Sequence, residues 1–158
     1  MGLPRKKIIL AGILFLVFFL ISISVLGVIN KKERVNSFRQ IKINDKVIRV
    51  EVALSPYNQY LGLSKRASLC NDCGMLFIFP EKQKGEFVMR DMNFPLDLLF
   101  IVNNRIVEIN RNLMPEGKQP INYYKSFEPI NMALELPGGY CQQNNIQIGD
   151  QVDFYNGN

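Results

Sequence analysis

From Ile8 to Ile29 the chain reads "IILAGILFLVFFLISISVLGVI", with no charged side chain. At the helical rise this run spans roughly 33 Å, enough to cross a hydrocarbon core. It exceeds the apolar region of about 7–15 residues found in cleavable signal peptides, and it is apolar on every face, unlike a surface or core helix. The sequence therefore predicts a short basic N-terminus over 1–7, a transmembrane anchor over 8–29, a juxtamembrane linker over 30–37 and a folded domain over 38–158. Ser22, Ser24 and Gly27 provide small residues for cleavage, the competing reading of the same run. Arg5, Lys6 and Lys7 before the run balance Lys31, Lys32 and Arg34 after it, so charge does not set the orientation. An anchor this near the N-terminus favours a single-pass protein of the cell membrane with its domain on the extracytoplasmic side.

The formal charge of +5 is confined to this region. Residues 1–34 carry six Lys or Arg and one Glu, which leaves thirteen charges of each sign in the rest of the chain. Basic residues beside an anchor suit anionic lipid headgroups, so membrane lipid is the expected partner of the first third. The balanced remainder offers no phosphate-binding footprint, and nucleic acid is not an expected partner.

Beyond the linker the patterns are those of strands. "KVIRVEVAL" alternates, with Val50, Val52 and Leu54 on one face and Arg49 and Glu51 on the other, and "NMALEL" alternates likewise. "GMLFIF" and "LDLLFIV" are continuous apolar runs, as expected of strands covered on both faces. Asn103-Asn104 suits a tight hairpin, and "IGDQVDF" a turn into a last strand. "SPYNQYLGLS" predicts a short helix with Ser55 as N-cap, Pro56 at its first position and Tyr57, Tyr60 and Leu61 on one face. "GGYCQQNNI" predicts another turn or two of helix. Six to nine short strands with one or two short helices make a mainly β domain, a small sandwich or barrel.

The chain has no histidine, which excludes Ser-His-Asp and Cys-His catalysis and HExxH zinc sites. Four constellations remain. In "CNDC", Cys70 and Cys73 suit a disulfide in a turn leading into a strand, with Cys141 as rival partner or spare thiol. Thiol exchange and zinc are the other readings of that motif, but zinc lacks ligands, and no metal or cofactor is expected. In "RDMNFPLD", Arg90, Asp91 and Asp97 lie close together in an apolar setting, where a charge must find a partner or water. Either Arg90 or Asp91 faces Asp97, the two being on opposite sides of an extended strand. Asp97 reads as a brace for a turn or as a carboxylate at a pocket mouth. Arg66 lies between the first helix and the cysteine turn. Glu135 occupies the polar side of its strand, where solvation is the default and a carboxylate pair with Asp97 the sharper alternative.

The segments "GLSKRASL", "GMLFIFP", "FVMRDMNFPLDLLFI", "EINRNLMPEG" and "ALELPGGYCQQNNIQIGDQV" occur in an order that resembles domain-of-unknown-function family 192 (DUF192). These are small bacterial and archaeal proteins, often with an N-terminal signal or membrane anchor. The likeness runs from about Leu54 to Phe154. It implies a compact, mostly β domain and no particular activity. The family's polar positions match at Arg66, Asp91, Asp97, Glu135 and Asp150. This chain has Arg90 where the family has lysine, Val88 where it has tryptophan and Ser64 where it has methionine, and the three cysteines lie outside the pattern.

The leading expectation is a membrane-anchored, extracytoplasmic binding or accessory module for a small polar ligand or a cell-envelope glycan. Its candidate site is Arg66, Arg90, Asp91 and Asp97, with Glu135 and Asp150 as secondary candidates. The competing reading is a carboxylate-based hydrolase of envelope material with Asp91 or Asp97 as acid or base. A third is a structural partner of another membrane protein. The ligand, the oligomeric state and the question of enzymatic activity stay open at this level.

Overall fold

The computed structural model describes residues 38–155. The basic N-terminus, the expected anchor over 8–29 and most of the linker lie outside the described residues. Among the described residues no helix is long and apolar enough to cross a membrane.

The chain runs β1 (Phe38–Ile43), β2 (Lys46–Ala53), α1 (Pro56–Leu61), β3 (Cys73–Gln83), β4 (Glu86–Phe87), β5 (Leu96–Val102), β6 (Arg105–Leu113), β7 (Tyr124–Lys125), β8 (Ile130–Pro137), α2 (Tyr140–Gln143) and β9 (Val152–Tyr155). Seven strands form one sheet in the order β6-β5-β8-β3-β2-β1-β9, and β4 and β7 form a separate ribbon. Every pairing is antiparallel except β2 with β3, whose connection carries α1. The sheet curls into a half-barrel, and its two outer strands approach each other at one end. There Arg105 bridges Gln151, and the amide of Ile106 donates to the carbonyl of Asp150 at 3.0 Å. The domain is therefore mainly β as expected, but it is one curled sheet and not two packed sheets. A sandwich would need a break in the strand order, and the ladder from β6 to β9 has none.

Two apolar clusters occupy the two faces. One draws Ile41, Val50, Leu76, Leu99, Ile106, Leu134 and Val152 from all seven strands, as the inside of a curl does. The other gathers Met75, Phe77, Leu98, Phe100 and Ala133 beneath the segments that cross the outer face. Phe77 and Phe100 are almost fully buried there, each contributing about 1.5–3 kcal/mol. This two-sided cover explains the unbroken apolar runs of β3 and β5.

Local signals fix the connections. Asn103 and Asn104 take φ of 49° and 63°, the left-handed pair that a two-residue hairpin between β5 and β6 demands. Ser55 accepts the amide of Asn58 at 3.1 Å, Pro56 opens α1, and Gly62 ends it at a φ of 54°. Six residues are too few to hold a helix alone. Gln59 docks this one, donating from Nε2 to the carbonyls of Ala53 and Ile78 at 3.2 Å each. The expected apolar face is not buried: Tyr57 and Tyr60 are 64% and 69% exposed. The helix is seated by hydrogen bonds, so its tyrosines are left outward.

Candidate functional site

Three strands set one rung of side chains on the outer face. Register places Glu51 of β2 beside Met75 of β3, and Met75 beside Glu135 of β8. Partners in register share a face, so both carboxylates point the same way with one methionine between them. Glu135 was expected to be solvated, yet it is only 8% exposed. Alternation suggests an outside only when one face of the sheet is wet, and β8 is covered on both.

Glu51 is held by Arg66, whose guanidinium makes a two-pronged pair with both carboxylate oxygens, the second prong at 2.7 Å. Hydrogen bonding to Glu51 raises the Arg66 pKa further, with smaller support from the charges of Glu51 and Glu135. Glu135 has no comparable arrangement. Its Oε2 is a buried side-chain oxygen with no hydrogen-bond partner among the described residues. Burial pushes its carboxyl up to about 8, and the nearby positive charge of Arg66 offsets only part of that. At neutral pH this group holds its proton most of the time.

Glu135 lies in a cleft of about 340 Å³ whose walls include Phe77, Phe79, Phe87 and Met92, with Ser64 and Arg90 also lining it. Gly62 forms part of the cover: a Cβ there would lie 3.8 Å from the Glu135 carboxylate and 3.7 Å from the Phe77 ring. Its positive φ also makes any side chain a strain. The wall is assembled by contacts between the 60–66 segment and the 88–93 loop. Ser64 Oγ donates to the Arg90 carbonyl at 2.8 Å, and the Lys65 amide donates to the Asp91 carbonyl at 2.7 Å. The Arg90 guanidinium donates to the Tyr60 carbonyl at 2.9 Å and lies 4.1 Å above the Tyr60 ring.

The candidate residues thus separate. Arg66 and Arg90 belong to the surroundings of Glu135. Asp91 stands in a turn with φ of 52°, its amide donating to the Gly117 carbonyl at 2.7 Å and its carboxylate 3.9 Å from Lys65 Nζ. That turn, not an extended strand, decides where Arg90 and Asp91 point, and neither pairs with Asp97. Asp97 is fully buried and opposes Leu136 on β8, so it faces the other side of the sheet from Glu135. It accepts the amides of Asn112, Gly139 and Cys141 at 2.7, 3.0 and 2.8 Å, joining β6 to the start of α2. A carboxylate pair of Asp97 with Glu135 is ruled out by the sheet between them. Asp150 accepts the Gln147 amide and the Asn44 side-chain amide at 2.8 Å each, bracing a turn away from the cleft.

Cys70 and Cys73 form a disulfide, and Cys141 is a buried free thiol, so the rival pairing with Cys141 is not made. Burial, with the charge of Asp97 beside it, pushes the Cys141 thiol pKa well up. Sequence reasoning overlooked the pairing of Glu51 with Arg66 and gave Gly62 no role. The available signal for Glu135 was a lone acid inside "NMALELPGGY", an otherwise uncharged segment.

The model of DUF192, described as an uncharacterized ACR, matches residues 39–154. The chain belongs to this family. Two solved structures are similar to the DUF192 domain. One is a proposed transcription regulator from Sinorhizobium meliloti 1021, 27% identical, with a TM-score of 0.71 and coverage of 75% of this chain and 95% of the other. The second is a protein of unknown function from Novosphingobium aromaticivorans, also 27% identical, with a TM-score of 0.67 and coverage of 73% and 84%. No curated protein matches. The three departures noted above, Ser64, Val88 and Arg90, all line the cleft.

Proposed function

We propose that this DUF192 domain is a binding module for a small polar ligand, a sugar of the cell envelope being the class that fits best, presented outside the cell on the anchor over 8–29. The observation that carries the reading is the buried, partnerless Oε2 of Glu135, a residue that lines the cleft. A buried polar atom without a partner costs about 1–3 kcal/mol, and a ligand hydroxyl seated against it would remove that penalty. The partly exposed ring of Phe87 in the cleft wall suits the apolar face of a sugar ring. The uncharged run from Ile8 to Ile29 supports the anchor.

The hydrolase reading gains less support. Asp91 and Asp97 are engaged in turns, and neither lines the cleft. The role attached to the S. meliloti protein is not adopted, because thirteen charges of each sign beyond residue 34 leave no basic footprint for nucleic acid.

The test is titration of the full chain in detergent with N-acetylglucosamine and its short oligomers, followed by NMR. Shifts are expected at residues lining the cleft, with affinity falling about tenfold, or about 1.4 kcal/mol, in Glu135→Leu. Shifts confined to other surfaces, or equal affinity in the variant, would sink the reading.

A further inference from the structure

The Cys70–Cys73 disulfide lies outside the cleft, and its surroundings are unequal. Cys70 is exposed, whereas Cys73 is 7% exposed at the start of β3. The loop between them is already closed by the backbone. The Cys73 amide donates to the Cys70 carbonyl at 3.1 Å, and the Arg49 amide of β2 donates to the Asp72 carbonyl at 2.9 Å. A disulfide stabilises mainly by closing long loops, and one spanning a four-residue turn that is already hydrogen-bonded adds little of that kind. Stapling is therefore a weak account of this bond.

A guanidinium accompanies it. Register puts Arg49 beside Cys73, and Arg49 Nη2 lies 3.7 Å from Cys73 Sγ and 3.8 Å from Cys70 Sγ. Disulfide sulfur is only a weak acceptor for that guanidinium. Thiolate sulfur is different: an adjacent arginine stabilises it strongly, and thiol exchange speeds up as its leaving thiolate is stabilised. The neighbouring carboxylate of Asp72 is turned aside, accepting the Tyr140 hydroxyl at 2.8 Å.

We infer that Cys70 and Cys73 form a thiol–disulfide exchange site in which the exposed Cys70 takes the attack and Arg49 receives the charge that develops on Cys73. The co-reactant is the dithiol of another protein. Its first thiolate attacks Cys70 Sγ; a sulfur–sulfur bond forms there, the Cys70–Cys73 bond breaks, and the electron pair goes to Cys73 Sγ. The co-reactant's second thiolate then attacks its own first sulfur, which releases Cys70 as a thiolate. The co-reactant ends as a disulfide, having lost two electrons, and its two protons end on Cys70 and Cys73. The reverse sequence reduces a partner's disulfide to a dithiol in the same two steps, and Cys70 and Cys73 return to their disulfide. Cys141 takes no part, being fully buried.

This inference stands independently of the ligand cleft. The experiment uses the full chain in detergent, reduced glutathione as probe, acid quenching and alkylation, with mass spectrometry to place the adduct. The mixed disulfide is expected on Cys70, with Cys141 unmodified as internal control. Arg49→Gln is expected to slow opening of the bond about tenfold. Arg49→Lys, which keeps the charge, is expected to stay within about threefold of wild type, which guards against a Gln variant that merely folds poorly. An adduct on Cys73, or equal rates for wild type and Arg49→Gln, or a lysine variant as slow as the glutamine one, would overturn the inference.

Discussion

Two buried carboxylates, Asp97 on β5 and Glu135 on β8, stand on neighbouring strands and face opposite sides of one sheet. Asp97 is met by three backbone amides from two elements. Glu135 presents an oxygen to which nothing in the described domain donates. The first arrangement is what a fold needs to hold a corner where β6, β8 and α2 converge. The second is something a fold has no use for by itself. Burial alone therefore does not separate a brace from a site; the supply of donors does.

The largest expected effect is on the Asp97 side. Asp97→Asn replaces a charged acceptor by a neutral one and turns an NH2 group towards amide donors. We expect a loss of about 3 kcal/mol, a melting temperature lower by roughly 10 °C. An unchanged melting temperature would erase the contrast between the two carboxylates. Next comes Arg66→Gln, which leaves Glu51 half-buried without its two-pronged partner and brings no gain at Glu135. A loss of about 2 kcal/mol in denaturant titration is expected, below the cost of breaking a fully buried pair because Arg66 is partly exposed. A loss under about 0.5 kcal/mol would show the pair to be a surface contact.

At acid pH the effect of replacing Glu135 is the smallest of the three, and the sign of its growth with pH is the informative part. The folded carboxyl titrates near 8 against 4.5 for the free side chain, so between those values the folded state holds a proton that the unfolded state has released. Stability contributed by this proton is complete below about pH 4.5 and is lost as pH rises towards 8, by up to about 1.4 kcal/mol per unit. Glu135→Gln is neutral throughout, so the difference between the two proteins should tilt in favour of the variant as pH rises from 5 to 8. At pH 4 the two should match within about 0.5 kcal/mol. Parallel stability curves over that range would mean that Glu135 is ionised and partnered after all, like Asp97.

Much of the scaffold was legible because its signals are local. Ser55 and Pro56 start α1, Asn103-Asn104 turn a hairpin, and unbroken apolar runs mark β3 and β5, each readable within a few residues. The Glu135 cleft was not legible for a physical reason. Glu51 and Glu135 share a rung only because β2 and β3 pair in parallel and β8 inserts between β3 and β5, and separations of that kind leave no periodic trace. Arg66 was placed among the candidate ligand residues, and only that register brings Glu51 to it. Asp97 was read correctly as a possible brace, but its donors come from Asn112, Gly139 and Cys141, and neither spacing nor composition points to them. The tyrosines of α1 misled for the opposite reason: their helical spacing is real, but the helix is docked through Gln59.

The pairing of β1 with β9 has a further consequence. Gln40 lies opposite Tyr155, so the first and last strands of the domain run side by side and its two ends open at the same pole. A short peptide can join them without disturbing any strand, and the Asn103-Asn104 hairpin tip then becomes a natural place to cut new ends. The domain is topologically ready for circular permutation and for insertion, as one closed loop, into a host protein.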